Sequence, residues 1–410
     1  MSDSVTTPLT TPLTTPLTTS RTHVLQIVGN AIVGGMENYV ARLIERLPRE
    51  RFMVSVLAPF ESPFTDRLRA FGADVFITPI TDEPSWHSIQ LASALVQSRA
   101  VDVIQSHLPN AHVLAAIAGR LTSRPVLATV HGRALSTLDI EVQRLAGSHL
   151  GVVCRHSFFQ AIGVGIDPRY VHFVPNGVDV EQFQPRPSRD GALRRRFGIG
   201  PTTPLVGFVG RLSPEKGPDV FLRSALSVRA QLPQAAFLIV GEGQMLKQLQ
   251  TFVRRFELAG AVHFAGSQDD MPSVYNELDV VVSSSHSEAM PLAVMEAMAS
   301  GLPVVACKVG GIPDLIEHGV SGWLADDADY ESLALRVVAL LQDEDLLLRA
   351  GRAARARALA RFALEHSIEA TTRLLGKLTP QREPRRISPL HEATRPIRAN
   401  GAAVKAAVER

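Results

Sequence analysis

Two cysteines in 410 residues, Cys154 and Cys307, are too few and too far apart for a disulfide framework or for the paired spacing of a metal site. Both fall in or beside apolar runs and read as reduced core thiols, as expected of a cytoplasmic protein. Charge of one sign is also scarce in net terms, since 42 Lys+Arg face 40 Asp+Glu and leave a formal charge of +2. That balance gives no global reason to expect nucleic acid as a partner, so any basic function must be local. Long hydrophobic runs are missing too. The apolar stretches are strand-sized, such as residues 235–240, and none approaches the roughly 20 residues of a bilayer span. The N-terminus, Met1-Ser2-Asp3, lacks the basic start of a signal peptide and continues as Thr-Thr-Pro-Leu repeated from Thr6 to Leu17. Proline at every fourth position forbids an apolar helix there, so residues 1–22 are expected to be a disordered low-complexity tail. Residues 380–410, rich in Pro, Arg and Ala, are expected to be a disordered basic tail.

What is present is an ordinary globular balance, 45% hydrophobic and 20% charged, with length enough for two domains. Short β-branched runs alternate with longer segments of helical period, the signature of parallel sheets with crossover helices. Residues 24–28, 52–57, 75–77, 101–104, 126–130, 150–153 and 171–174 are predicted strands, and residues 37–47 a helix with apolar spacing. A second series follows a charged, proline-bearing stretch near 180–203, with strands at 205–209, 237–240, 262–264, 280–282 and 304–306. Residues 330–378 are almost wholly helical in pattern. The fold class is therefore α/β, two Rossmann-like doubly wound domains over residues 23–185 and 186–365. A cleft at the C-terminal edges of both sheets is the expected ligand site.

The segment Ser287-Glu288-Ala289-Met290-Pro291-Leu292, continuing to Glu296 and Gly301, places a polar loop and then a helix after a strand. Proline suits a helix start and glycine a left-handed helix end. Free N–H groups at such a start can hold a phosphate while two carboxylates accept from sugar hydroxyls. Either glutamate alone would pass for a solvated helix former. The second segment, Gly210-Arg211-Leu212-Ser213-Pro214-Glu215-Lys216, follows the first strand of the second series. Its two cations, five residues apart, can converge on a diphosphate, although a plain surface turn would look similar. In the first series Gly34-Gly35 opens a helix with backbone donors for an oxyanion, but lacks the dinucleotide fingerprint that a nicotinamide dehydrogenase would carry. Glu37 suits the helix dipole there. His131 ends a strand at the ligand-binding edge. Asn176-Gly177 is a turn by its own chemistry. Gly241-Glu242-Gly243 and Gly310-Gly311 are further strand-to-helix loops, expected to line the pocket.

Glu288 and Glu296 with seven residues between them, followed by Ala-Met-Ala-Ser-Gly-Leu-Pro-Val-Val-Ala, resemble the E-x7-E block of family 4 glycosyltransferases. The resemblance spans roughly residues 23–378 and is strongest over 207–324. It implies the two-domain GT-B fold, with a last helix over 366–379 returning to the first domain. It further implies a retaining glycosyltransferase that moves a hexosyl unit from a nucleoside diphosphate sugar to a glycan, lipid-linked or small-molecule hydroxyl acceptor. Glu296 would bind the ribose, Glu288 and His131 the transferred sugar, and Arg211 and Lys216 the diphosphate. Gly34, Gly35, Gly210, Glu242, Met290, Pro291 and Leu292 would complete the donor site. Met290 stands where an aromatic residue is common. The base would lie near residues 263–266. No metal or cofactor is implied, because the two cations neutralise the leaving group. Nucleotide-sugar epimerase, phosphorylase and a non-catalytic nucleotide-sugar-binding module are the other readings. The basic runs Arg194-Arg195-Arg196 and 349–361 suggest peripheral contact with the inner membrane surface.

Overall fold

The apolar runs of the first half assemble into a seven-stranded parallel sheet in the computed structural model, which describes residues 21–185 and 191–380. Its strands are β1 (Thr22–Val28), β2 (Phe52–Ala58), β3 (Asp74–Ile77), β4 (Val103–His107), β5 (Val126–Val130), β6 (His149–Val152) and β7 (Val171–Phe173), ordered β3-β2-β1-β4-β5-β6-β7. The second half gives β8 (Leu205–Val209), β9 (Ala236–Val240), β10 (Val262–Gly266), β11 (Val280–Ser283), β12 (Val304–Cys307) and β13 (Gly322–Ala325), ordered β10-β9-β8-β11-β12-β13. In each sheet the chain begins in the middle, winds outward, then crosses back. The direction changes between β1 and β4 and between β8 and β11, and an open α/β sheet offers its ligand crevice at such a point.

Most strands differ from the pattern reading by a residue or two at their ends, and three differences are informative. β13 was not foreseen, because Gly322-Trp323-Leu324-Ala325 has no β-branched residue to mark an edge strand. β4 sits later than residues 101–104, because Gln105, Ser106 and His107 are polar yet buried and so break the apolar pattern. The terminal tail was expected to run to residue 22, but Thr22 already belongs to β1, paired with Phe52. The rest of the expected tails, residues 1–20 and 381–410, lies outside the described residues.

The two lobes exchange elements. Val178, Val180 and Phe183, from the segment leaving the first sheet, are buried in the core of the second. The last helix, Leu364–Leu378, begins before the expected residue 366 and buries Leu364, Ile368, Leu374 and Leu375 in the core of the first. The strands cross at a bridge where Val178 N donates to Phe362 O and Leu364 N to Val178 O, both at 2.8 Å. Gly177 lies so close to Leu364 that a Cβ there would meet its Cα at 2.7 Å, which explains the glycine of the Asn176-Gly177 turn.

The basic runs are partly structural. Arg194 is 1% exposed and donates to the carbonyls of Glu277, Gly200 and Thr203. Arg355 ties the carbonyls of Val180, Phe183 and Ala299 together, and Arg357 those of Asp314 and Leu315. These side chains are committed to backbone oxygens, which removes them from any membrane-facing patch. No helix among the described residues is long and apolar enough to cross a membrane.

Candidate active site

The loops after β8 and β11 meet. Lys216, at the end of a short 3-10 turn, reaches Glu288 across 72 residues of sequence, with Nζ 2.7 Å from Oε1. The same carboxylate oxygen accepts from Ser285 Oγ at 2.8 Å. Gly217 makes this approach possible: its φ is +59°, and a Cβ would collide with the Ser284 carbonyl. Glu288 is 8% exposed, so its charge is largely withdrawn from water and depends on Lys216. Both line a cavity of about 310 Å³, together with Gly210, Met290, Pro291 and Leu292. The helix Leu292–Ala299 starts in the cavity wall, and its N-cap, Pro291, has no side chain able to satisfy the first N–H groups. Those donors and the helix dipole favour an anion. Pro291 is the cap rather than the first helical residue, and Gly301 closes the helix with φ +78°, as its sequence implied.

The first lobe supplies the facing wall with Gly35, Met36 and His131. Gly34 caps the helix Gly35–Arg46, and a Cβ on it would stand 3.8 Å from Arg211 Nη2, so the Gly34-Gly35 loop and Arg211 approach each other across the cleft. Glu37 is more than a favourable helix acid. It is 4% exposed, accepts from Asn30 Nδ2 at 2.8 Å and so fixes the loop; burial raises its pKa against the opposing pull of that bond and of Arg211. His131 Nε2 lies 2.9 Å from His107 Nδ1, and the Tyr39 ring stands edge-on to His131 at 5.0 Å. Burial lowers the His131 pKa from 6.5 to about 4, so the ring is neutral near pH 7.

Residues 190–357 match the family model described as glycosyl transferases group 1, and residues 33–182 match Glycosyltransferase Family 4. A D-inositol 3-phosphate glycosyltransferase of Mycolicibacterium smegmatis is 32% identical over 348 residues, 77% of this chain and 74% of that protein. The chain belongs to glycosyltransferase family 4. The UDP-Gal:alpha-D-GlcNAc-diphosphoundecaprenol alpha-1,3-galactosyltransferase of Escherichia coli is 27% identical to this glycosyltransferase over 335 residues, 77% of the chain and 87% of that enzyme. The crystal structure of Anabaena Alr3699/HepE in complex with UDP superposes with a TM-score of 0.77 at 25% identity, covering 86% of this chain and 99% of that one. With the two sheets described above, these matches make the fold GT-B.

Not every expected residue of the glycosyltransferase faces the cavity. Arg211 is exposed at its margin beside Gly34, and Glu296 sits one turn behind the cavity-lining Leu292, Ala293 and Val294. Glu296 Oε2 accepts from Tyr275 Oη at 3.0 Å; burial pushes its carboxyl up, against the Arg42 charge and that hydroxyl. Glu242, also expected at the donor, is exposed and does not line this cavity; it lies near Gly266 at the end of β10. Its loop serves as a brace, since Leu212 N donates to Glu242 O at 2.8 Å and Cβ atoms on Gly241 and Gly243 would collide with the carbonyls of Gly210 and Leu212. Gly310 and Gly311 likewise pack directly under the carbonyls of Glu288 and Ala289 instead of lining the pocket. Residues that the motifs did not name are Asn176, which donates to Met290 O at 3.1 Å, Ser285, Tyr275, Tyr39 and His107. Asn176 stood in a segment already singled out as a turn, and Tyr39 in the predicted helix over 37–47. Among the described residues no group of three or more His, Cys, Asp or Glu could hold a metal ion.

Proposed function

We propose that the enzyme transfers a hexosyl unit from a nucleoside diphosphate sugar to a hydroxyl acceptor with retention of anomeric configuration, in glycan, glycolipid or polysaccharide synthesis. The observation that carries the reading is the Lys216–Glu288 contact inside a cavity bounded by an uncapped helix start and, from the other lobe, by His131. The names of its relatives, which include a UDP-galactose-dependent transferase and a structure bound to UDP, support a nucleotide-sugar donor. The diphosphate would rest against Lys216, Arg211 and the N–H groups that open the Leu292–Ala299 helix. Glu296 would take the ribose hydroxyls, and Glu288 the sugar.

In the reaction the bond from the anomeric carbon to the diphosphate oxygen breaks, its electron pair leaving with the nucleoside diphosphate. The acceptor oxygen bonds to the same face of the sugar, and its proton passes to the departing phosphate oxygen. Charge grows on the diphosphate as this happens, and Lys216 and Arg211 would stabilise it more than they stabilise the ground state. Those cations supply the role that a metal plays elsewhere, so chelation with EDTA should leave the rate unchanged. Glu288, paired with Lys216, would orient the sugar, and no covalent intermediate is expected.

The test is a thermal-shift panel of UDP, GDP, ADP and their sugars, because a ligand that binds only the folded state raises the melting temperature. One nucleotide class should stand out, and Glu296→Ala should reduce its shift. An unaltered shift in Glu296→Ala overturns the ribose assignment, and an inverted product anomer overturns retention.

A further inference from the structure

Four polar side chains run through the interior of the first sheet, where a parallel sheet covered on both faces normally holds only apolar ones. Thr129, Gln105, Gln26 and His107, on β5, β4, β1 and β4, are all buried and hydrogen-bonded in a line. An unsatisfied group in such a place costs about 1–3 kcal/mol, so each has a reason to be partnered. The line ends at His131, on the cavity wall.

Its polarity can be followed bond by bond. Gln105 Nε2 donates to Thr129 Oγ1 at 2.9 Å, which turns Gln105 Oε1 toward Gln26, whose Nε2 donates to it at 3.0 Å. Gln26 therefore shows its Oε1 to His107 Nε2, 2.8 Å away. A carbonyl oxygen only accepts, so His107 carries its proton on Nε2 and leaves Nδ1 bare. That bare nitrogen faces His131 Nε2 at 2.9 Å, which must then carry the proton. His107 is buried and His131 half-buried on the cavity wall, both rings are neutral, and the Tyr39 ring stands edge-on to each.

We infer that Gln105, Gln26 and His107 are positioning residues that lock His131 as the Nε2–H tautomer, with the Nδ1 lone pair left to accept a hydrogen bond from a hydroxyl of the bound sugar. The lock is a property of the free protein; only its use on the sugar rests on the proposed donor site. A sugar hydroxyl that donates to Nδ1 is held at a fixed angle, whereas a ring free to exchange tautomers would present a donor there for part of the time.

Selective ¹⁵N-histidine labelling tests the lock directly. At pH 7 the His131 resonances, assigned by their loss in His131→Asn, should show a protonated Nε2 and a bare Nδ1. In Gln26→Met, His107 is free to move its proton to Nδ1 and donate to His131, so the His131 signature should shift toward Nδ1–H. The donor KM should then rise about fivefold, the worth of one hydrogen bond, with kcat nearly unchanged. His107→Leu should do the same, and His107→Gln, which keeps an acceptor, should restore the wild-type spectrum. A wild-type His131 that is charged or Nδ1–H overturns the inference, as does an Nε2–H signature that Gln26→Met leaves untouched. If the spectra behave as expected but His131→Ala leaves donor KM and kcat unaltered, the lock stands and the sugar contact of His131 falls.

Discussion

Lys216 and Glu288 sit on separate loops, and each makes the other tolerable: a buried carboxylate without its ammonium partner is destabilised, and the ammonium alone would be a solvated surface charge. Lys216→Ala should lower kcat by about 10²–10³-fold, the usual loss for one preorganised charge at a developing anion, as read by steady-state kinetics with saturating donor. Lys216→Arg should recover part of that, because a guanidinium keeps the charge but not the compact reach. The histidines make a separate prediction about pH. His131 and His172 are both lowered to about 4 by burial, His172 also by His149 and Lys377, whereas an unfolded chain takes up these protons near 6.5. Between about 6.5 and 4 the unfolded state thus binds more protons than the native one, so stability is full above 6.5 and is lost as pH falls through that window. The melting temperature should drop over that range, and less steeply in His131→Gln; an unchanged slope in that variant would remove His131 from the account.

At the scale of elements, the catalytic loops are shaped from behind by backbone contacts that only glycine permits. Gly311 lies against Ala289 O and the Cβ of Cys154 from the first lobe, so it fixes the Glu288–Met290 turn and the lobe contact together. Gly311→Ala should cost about 1–3 kcal/mol through overpacking and should abolish most of the nucleotide-induced thermal shift, while far-UV circular dichroism stays native-like. The motif reading placed such loops in the pocket because a glycine after a strand signals close approach, and the pattern does not tell which side the approach comes from. The helix Leu292–Ala299 was legible in the sequence, since a proline start and a glycine end are local chemistry. β4 was not, because burial of Gln105 and His107 depends on partners 79 and 81 residues away in sequence.

For the molecule as a whole, the exchange of segments between lobes joins their stabilities. Leu375 is fully buried in the first core although it lies at the far end of the chain. Leu375→Ala should destabilise by about 2–5 kcal/mol in urea titration, and ending the chain before Leu364 should expose the first lobe to proteolysis while the second keeps its core. A truncated protein with an intact first lobe would contradict this coupling. The same crossing, where residues 177–178 meet Phe362 and Leu364, sets the two cleft walls against each other, so substitutions at Gly177 should alter donor KM from a distance.

The amino-acid sequence on its own determined the alternation of strand and helix, the division into two halves and the principal loops of the site, because each of these is written in short-range spacing and in the φ preferences of proline and glycine. Tertiary structure alone decided which of those loops face the cavity, that Glu242 stands outside it, that Lys216 closes on Glu288, and that a buried line of amides and imidazoles ends at His131. These are contacts between residues distant in the chain, and no local pattern encodes a partner that only folding brings near.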